Sequence, residues 1–256
     1  RPTVVAGVPP DYFTATGQLW GNPIYDWERH AADGYAWWAA RLRALLGLAD
    51  LVRIDHFRAF VDFWEVPAGA PTAEKGRWAP GPGAEFFCTM AGALGGLPIV
   101  AEDLGELNPE VPALLRETGL PGMRVLQFAY DGDPQNPFLP EHHPENCVVY
   151  TGTHDNDTTV GWYRSLPPGQ RRTVRAALGS SGRAIAWDLM RAAWTSPAFL
   201  AVAPIQDVVE AGAEGRMNLP GSCGGNWAWR WPPEALSPER RDRLAALNHE
   251  TGRSRA

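Results

Sequence analysis

No stretch of about 20 consecutive apolar residues, the length a helix needs to cross a bilayer, occurs in these 256 residues. A charged and apolar leader ending in small residues is also missing, so nothing points to secretion or to a membrane. Cysteine is sparse. Cys88, Cys147 and Cys223 are an odd number, widely spaced, with no CxxC or His-Cys ligand pattern. They argue against a disulfide framework and against zinc, and predict reduced, buried thiols in a cytoplasmic protein. No cluster of Lys and Arg offsets the net charge of -6 and the pI near 5.5, which speaks against a nucleic-acid partner. Internal repeats and low-complexity tracts are absent too. The chain opens on Arg1 rather than Met and runs straight into turn-rich sequence, so a partial chain is expected.

What is present is ordinary for a globular protein, with 45% apolar and 20% charged residues. The exception is tryptophan, at 12 residues; its faces suit sugar rings as well as cores. Three stretches stand out. Val52-Arg53-Ile54-Asp55-His56-Phe57-Arg58, Pro98-Ile99-Val100-Ala101-Glu102-Asp103 and Cys147 to Asp157 are each an apolar run followed at once by acidic residues. In a parallel barrel the C-terminal strand ends share one rim, which carries the active site. Three acids delivered there make a carboxylate cluster.

In chain order, residues 1–27 are rich in Gly, Pro and aromatics and predict a long irregular loop. Loops of that length are usually functional. A helix follows, capped by Asp33, with Tyr35, Trp38, Leu42 and Leu45 on one face and Gly47 as its stop. Val52–Asp55 is the first strand, and residues 58–82 return to loop. Glu85 to Leu94 reads as a helix, Leu97 to Ala101 as a strand, and Asn108-Pro109 as the start of a helix that Gly119 ends. Met123 to Tyr130 and the run through Tyr150 are further strands. Helices over 169–178 and 183–194, a last buried strand at Val202 to Ile205, and a helix from Ser237-Pro238 to about Asn248 complete the series. Alternation of strand and helix means an α/β fold with a parallel sheet. Five strands are counted where a closed (β/α)8 TIM barrel has eight, so an N-terminally truncated barrel is expected, its first three strands lying before Arg1. Residues 1–256 read as a single catalytic domain.

Two carboxylates about 5 Å apart, one ionised and one protonated, are the apparatus of retaining glycoside chemistry. Asp55, two residues after Arg53, is the better nucleophile, because a guanidinium favours its charged form. Glu102, ending an apolar run, is the better proton donor, because burial and neighbouring negative charge both raise a carboxyl pKa. Asp155 is left to bind sugar hydroxyls, with His154 beside it as a hydrogen-bond donor.

These motifs resemble the C-terminal half of the amylomaltases, the bacterial 4-α-glucanotransferases or disproportionating enzymes. Gly7–Phe13 with Gly17–Tyr25 is similar to that family's acceptor-side loop. Arg53-Ile54-Asp55-His56-Phe57 is similar to its nucleophile strand, Ala101-Glu102-Asp103-Leu104-Gly105 to its acid/base strand, and Gly152-Thr153-His154-Asp155-Asn156-Asp157 to its third-carboxylate strand. The tail from Met217-Asn218 to Arg230 also matches. The resemblance implies a modified (β/α)8 barrel that acts on α-1,4-glucans and maltooligosaccharides by double displacement, with no cofactor and no metal. It assigns catalysis to Asp55, Glu102 and Asp155. It assigns substrate binding to Arg53 and His154, to Asp11, Tyr12, Phe13, Gln18 and Trp20 of the loop, to His56, and to Asn226. The family's chain is about twice as long, and its inserted subdomains and first strands have no counterpart here.

Other features carry less. Asp103 and Asp157 are expected to orient loops. Glu141-His142-His143 lies among prolines and is not expected to hold a metal, and Asn156-Asp157-Thr158 matches a glycosylation acceptor by chance. Two alternatives stay open from sequence: a hydrolase resembling the α-amylases, and a non-catalytic glucan-binding or inactive fragment.

Overall fold

The two segments expected as irregular loops, residues 1–27 and 58–82, carry an antiparallel sheet in the computed structural model, which describes residues 2–10, 14–105 and 108–254. Its strands are β1 (Val4–Val8), β2 (Gln18–Pro23), β4 (Asp62–Pro67) and β5 (Arg77–Pro80), in the order β2-β1-β4-β5. The turn chemistry that argued for loop serves the pairing itself. β2 is an edge strand with every residue exposed, so it lacks the alternation of a half-buried strand. Its pairing with β1 slips between Val5 and Gly7, and Pro23 sits at that irregular end, where the ladder tolerates it. Gly17 turns the chain with φ +66, and a Cβ there would lie 2.4 Å from the carbonyl oxygen of Val8.

The chain divides into two compact units, Arg1–Gly122 and Met123–Ala256. Besides the antiparallel sheet, the first unit holds β3 (Val52–Ile54) paired in parallel with β6 (Ile99–Ala101). Helices α1 (Trp27–Ala32), α2 (Ala36–Leu46), α3 (Gly83–Leu94) and α4 (Glu110–Thr118) accompany them. Caps explain the helix ends. The Asp33 carboxylate accepts from Ala36 N at 3.2 Å, the Asn108 side chain accepts from the Val111 N–H at 3.2 Å, and Gly119 closes α4 in the left-handed region. The core of this unit is aromatic. Phe57, Phe86, Phe87 and Met90 are fully buried among Tyr35, Trp38 and Phe60, each contributing roughly 1.5–3 kcal/mol by leaving water.

In the second unit β7 (Gly122–Val125, its first residue the last of the first unit), β8 (Cys147–Tyr150) and β9 (Leu200–Val202) form one sheet, with β8 and β9 parallel. The helices are α5 (Thr159–Ser165), α6 (Pro168–Leu178), α7 (Ile185–Thr195), α8 (Ile205–Val208) and α9 (Pro238–Glu250). Strand β7 stops at Val125, short of the expected Tyr130, because a 3-10 turn begins at Leu126. Strand β9 is earlier and less buried than expected, since the segment from Ile205, after Pro204, is helical. Among the described residues the sheets have four, two and three strands, and no closed barrel is formed. Of the three thiols expected to be buried, only Cys147 is. Cys88 lies on α3 away from Phe86, Phe87 and Met90, and Cys223 lies in the tail, so both are exposed. Among the described residues no helix is long and apolar enough to cross a membrane.

Gly17 and Gly34 share φ +66, but nothing lies within 4 Å of a Cβ built on Gly34. Gly34→Ala is therefore expected to cost about 1 kcal/mol for backbone conformation alone. Gly17→Ala adds the carbonyl clash and is expected to cost at least about 2 kcal/mol. Thermal melts of the two variants compare them, and equal midpoints would remove the clash from the account.

Candidate active site

The register of β3 and β6 sets Ile54 opposite Ala101. Backbone pairing then continues past both strand ends: Glu102 N donates to Ile54 O at 2.9 Å and Phe57 N donates to Glu102 O at 2.9 Å. Asp55 and Glu102 thus leave neighbouring strands at the same level. Adjacent strands lie about 4.8 Å apart, close to the roughly 5–5.5 Å between the carboxyl groups of retaining enzymes.

The two acids have different surroundings. Asp55 is 76% exposed, and Arg53 Nη1 lies 2.9 Å from its Oδ1. Glu102 is part-buried; its Oε2 accepts from His56 N at 2.7 Å and its Oε1 from Leu104 N at 3.0 Å. Burial pushes the Glu102 carboxyl above its usual range, and the charge of Asp55 pushes the same way. The two backbone N–H donors and Arg53 oppose that shift without cancelling it. Glu102 is therefore better able to carry a proton than an open carboxylate.

His56 holds the turn between them. Its backbone is left-handed at φ 51 and ψ 54, a conformation that costs a non-glycine residue about 1 kcal/mol or more and that aims its N–H at Glu102. Burial holds its imidazole below its usual range, which favours the neutral ring. Trp20 stands edge-on to it, with ring centroids 4.8 Å apart, and donates its indole N–H to Gln18 Oε1 at 3.2 Å. Arg58 pairs with Asp62 at 2.8 Å and covers Trp78 at 4.0 Å, which holds the following turn. A cavity of about 580 Å³ within this unit has Asp55 and His56 in its wall together with Trp20, Tyr25, Trp27 and Trp38. That size suits a small-molecule site. Asp11, Tyr12 and Phe13 lie outside the described residues.

In the second unit His154 and Asp155 follow β8. His154 Nε2 lies 3.4 Å from Asp155 Oδ2, and Asn218 Nδ2 donates to Asp155 Oδ1 at 2.5 Å. Arg216 clasps the same segment, donating to Asp155 O at 2.7 Å and to Asn218 O at 2.8 Å. Trp227 lies against the His154 ring at 5.2 Å. Arg216, Asn218 and Trp227 received no role from sequence, although the tail was singled out; the Met217-Asn218 pair was the available signal. Asn226 is occupied within its own loop, accepting from Leu219 N at 3.0 Å and donating to the Ser222 hydroxyl at 3.0 Å. Asp157 does orient a turn, accepting from Thr158 N at 2.8 Å and, through its carbonyl, from the Gln127 amide at 2.9 Å. Among the described residues no group of three His, Cys, Asp or Glu is placed to hold a metal. His142 and His143 instead turn a ring nitrogen to the carbonyls of Asn136 and Phe138, each at 2.9 Å.

Comparison with known proteins agrees with these motifs. The profile described as 4-alpha-glucanotransferase matches residues 2–236. The 4-alpha-glucanotransferase of Synechocystis sp. is 53% identical over 253 residues, which are 98% of this chain and 50% of that protein. That of Thermus thermophilus is 51% identical over 261 residues, covering 99% of this chain and 52% of its own length. Among solved structures, the amylomaltase from Streptococcus agalactiae in complex with acarbose matches with a TM-score of 0.95 at 36% identity, over 99% of this chain and 52% of that one. The amylomaltase from Corynebacterium glutamicum, with a TM-score of 0.78 and 20% identity, agrees in fold. The chain spans about half the length of the curated relatives it matches. The chain belongs to the 4-alpha-glucanotransferase family.

Proposed function

We propose that this chain carries the reacting groups of a 4-α-glucanotransferase that moves α-1,4-glucan segments onto glucose or a maltooligosaccharide. Asp55 attacks the anomeric carbon while Glu102 protonates the departing glycosidic oxygen, giving a β-glucosyl ester on Asp55 and a free glucan end. Glu102, now ionised, takes the proton from the 4-hydroxyl of an acceptor sugar, which attacks the same carbon, releases Asp55 and remakes an α-1,4 bond. No electrons are exchanged and no cofactor is consumed. Arg53 holds the nucleophile, and His56, Gln18 and Trp20 are assigned to the bound sugar. By family resemblance Asp155 is assigned to catalysis as the third carboxylate, His154 and Asn226 to substrate binding, and Asp11, Tyr12 and Phe13 to the acceptor-side loop.

The observation that carries this reading is the pairing of unlike carboxyls at level ends of β3 and β6. One is open and ion-paired, the other enclosed and shifted toward its protonated form. The name of the S. agalactiae relative, an amylomaltase in complex with acarbose, supports a glucan-like ligand. Transfer in place of hydrolysis needs water kept from the ester, and the aromatic wall beside Asp55 supports that. Within the same proposal, residues 1–256 form the C-terminal portion of one catalytic (β/α)8 barrel domain, contributing β3, β6, β7, β8 and β9. Three cysteines outside any disulfide support the cytoplasm as its compartment.

Incubation with maltotriose is expected to give glucose and a ladder of longer maltooligosaccharides. Asp55→Asn is expected to abolish the ladder, and Glu102→Gln to slow it about 100- to 10,000-fold. Shorter sugars alone would replace transferase with hydrolase, and products unaffected by Asp55→Asn would reject the assigned nucleophile.

The electrostatics give a separate test. Because the Asp55 charge raises the Glu102 pKa and Arg53 lowers it, Asp55→Asn is expected to move Glu102 titration to lower pH and Arg53→Met to higher pH. Carbon-13 NMR of labelled glutamate reads both, and movement in the opposite sense would uncouple these groups.

A further inference from the structure

Asp207, on α8, is a buried carboxylate that the reaction above does not use. It is 1% exposed, and none of its hydrogen-bond donors carries charge. Its Oδ2 accepts from the Thr151 hydroxyl at 2.5 Å and the Thr159 hydroxyl at 3.0 Å, and its Oδ1 accepts from Thr159 N at 3.3 Å. Burial pushes its carboxyl above the usual range, and the three donors oppose that without cancelling it. Withdrawing a carboxyl group from water with no cation beside it is costly. Glu65, another buried acid, has Arg77 as its partner.

The two threonines stand at opposite ends of one loop. Thr151 directly follows β8 and Thr159 begins α5, and the residues between them include His154 and Asp155. Bonds inside the loop are local: Asn156 Oδ1 accepts from Thr153 N at 2.8 Å, and Asn156 N donates to Thr153 O at 3.2 Å. They make a compact turn without setting its direction. The loop borders a cavity of about 120 Å³ together with Pro204, Gln206 and Asp207, so packing alone does not set it either. On the tail side, Asn218 N donates to His154 O at 3.1 Å. At its base, one carboxylate joins the exit of β8 to the entry of α5. The two links are unequal, because Thr159 reaches Asp207 by both hydroxyl and main chain and Thr151 by its hydroxyl alone.

We propose that Asp207 is a positioning residue for Asp155: by holding both ends of the loop that carries His154 and Asp155, it sets where the third carboxylate stands. This rests on the function proposed above.

The test cuts each link in the full chain with a change that keeps side-chain shape, Thr151→Val and Thr159→Val. Hydrogen exchange is read at the amides of Asn218 and position 159, which bond the loop to its surroundings. Thr151→Val is expected to speed both about 5- to 10-fold, with Val148, Val149, Leu189 and Met190 unchanged. Thr159→Val keeps the main-chain bond and is expected to do markedly less. Initial rates with maltotriose are expected to show kcat about 10- to 100-fold lower for Thr151→Val with KM kept, and no further loss when Thr151→Val is added to Asp155→Asn. Asp207→Ala is expected to free both ends at some cost in melting temperature, and Asp207→Asn to restore part of the loss, since its amide can meet both threonine oxygens. If Asp207→Ala does not fold, the two valine variants decide. Equal effects of those two, or faster exchange in β8 and α7 as well, overturn the inference, because loss of packing then explains them. An unchanged kcat in Thr151→Val overturns it too. An unmodified chain without transfer activity overturns the function proposed above, and the exchange pattern alone then decides Asp207.

Discussion

Everything at the Asp55 and Glu102 end of the first unit depends on a hydrogen-bond ladder that does not stop where the strands stop. Ile54 O, Glu102 N, Glu102 O and Phe57 N continue the β3–β6 pairing, and the Glu102 carboxylate closes it by accepting from His56 N. The acid is therefore located by main-chain geometry, with little rotamer freedom left to its side chain. A side chain held by two backbone donors loses less order to thermal motion than one held by a single flexible partner, which is what a proton-transfer group requires.

Much of this was legible, and what was not has a physical reason. The acids were visible because short apolar runs ending in Asp or Glu are poor plain core strands. Several helices were legible from their caps: Asn108 and Gly119 bracket α4, and Ser237 before Pro238 starts α9, its hydroxyl accepting from Arg240 N at 3.4 Å. The antiparallel sheet was hidden because β2 is exposed throughout, and because β1, whose burial alternates, is written VVAGV without a polar residue to mark the alternation. Gly7 signalled a turn when read locally; its real constraint is the Gln18 carbonyl oxygen, 2.5 Å from where a Cβ would sit. The Arg216 and Asn218 contacts with Asp155 span about sixty residues of sequence, a separation no local pattern encodes.

One fold has given similar side chains opposite environments. Asp55 sits in the open with a guanidinium beside it, and an exposed pair of this kind adds little stability. Glu102 is part-buried, its carboxylate held by the backbone N–H groups of His56 and Leu104. Asp155, at 47% exposure, is held by a neutral amide and a nearby imidazole, while the guanidinium of Arg216 binds its backbone carbonyl. Orientation is supplied there by an amide and by a contact to the main chain.

The left-handed backbone at His56 bears on how this protein can change. Glycine occupies that region freely, so His56→Gly is among the simplest routes to a more stable chain. It would also delete the ring beside Trp20 and loosen the N–H that holds Glu102. Selection for stability alone would thus tend to erode the turn on which the acid depends, a local conflict between robustness and chemistry.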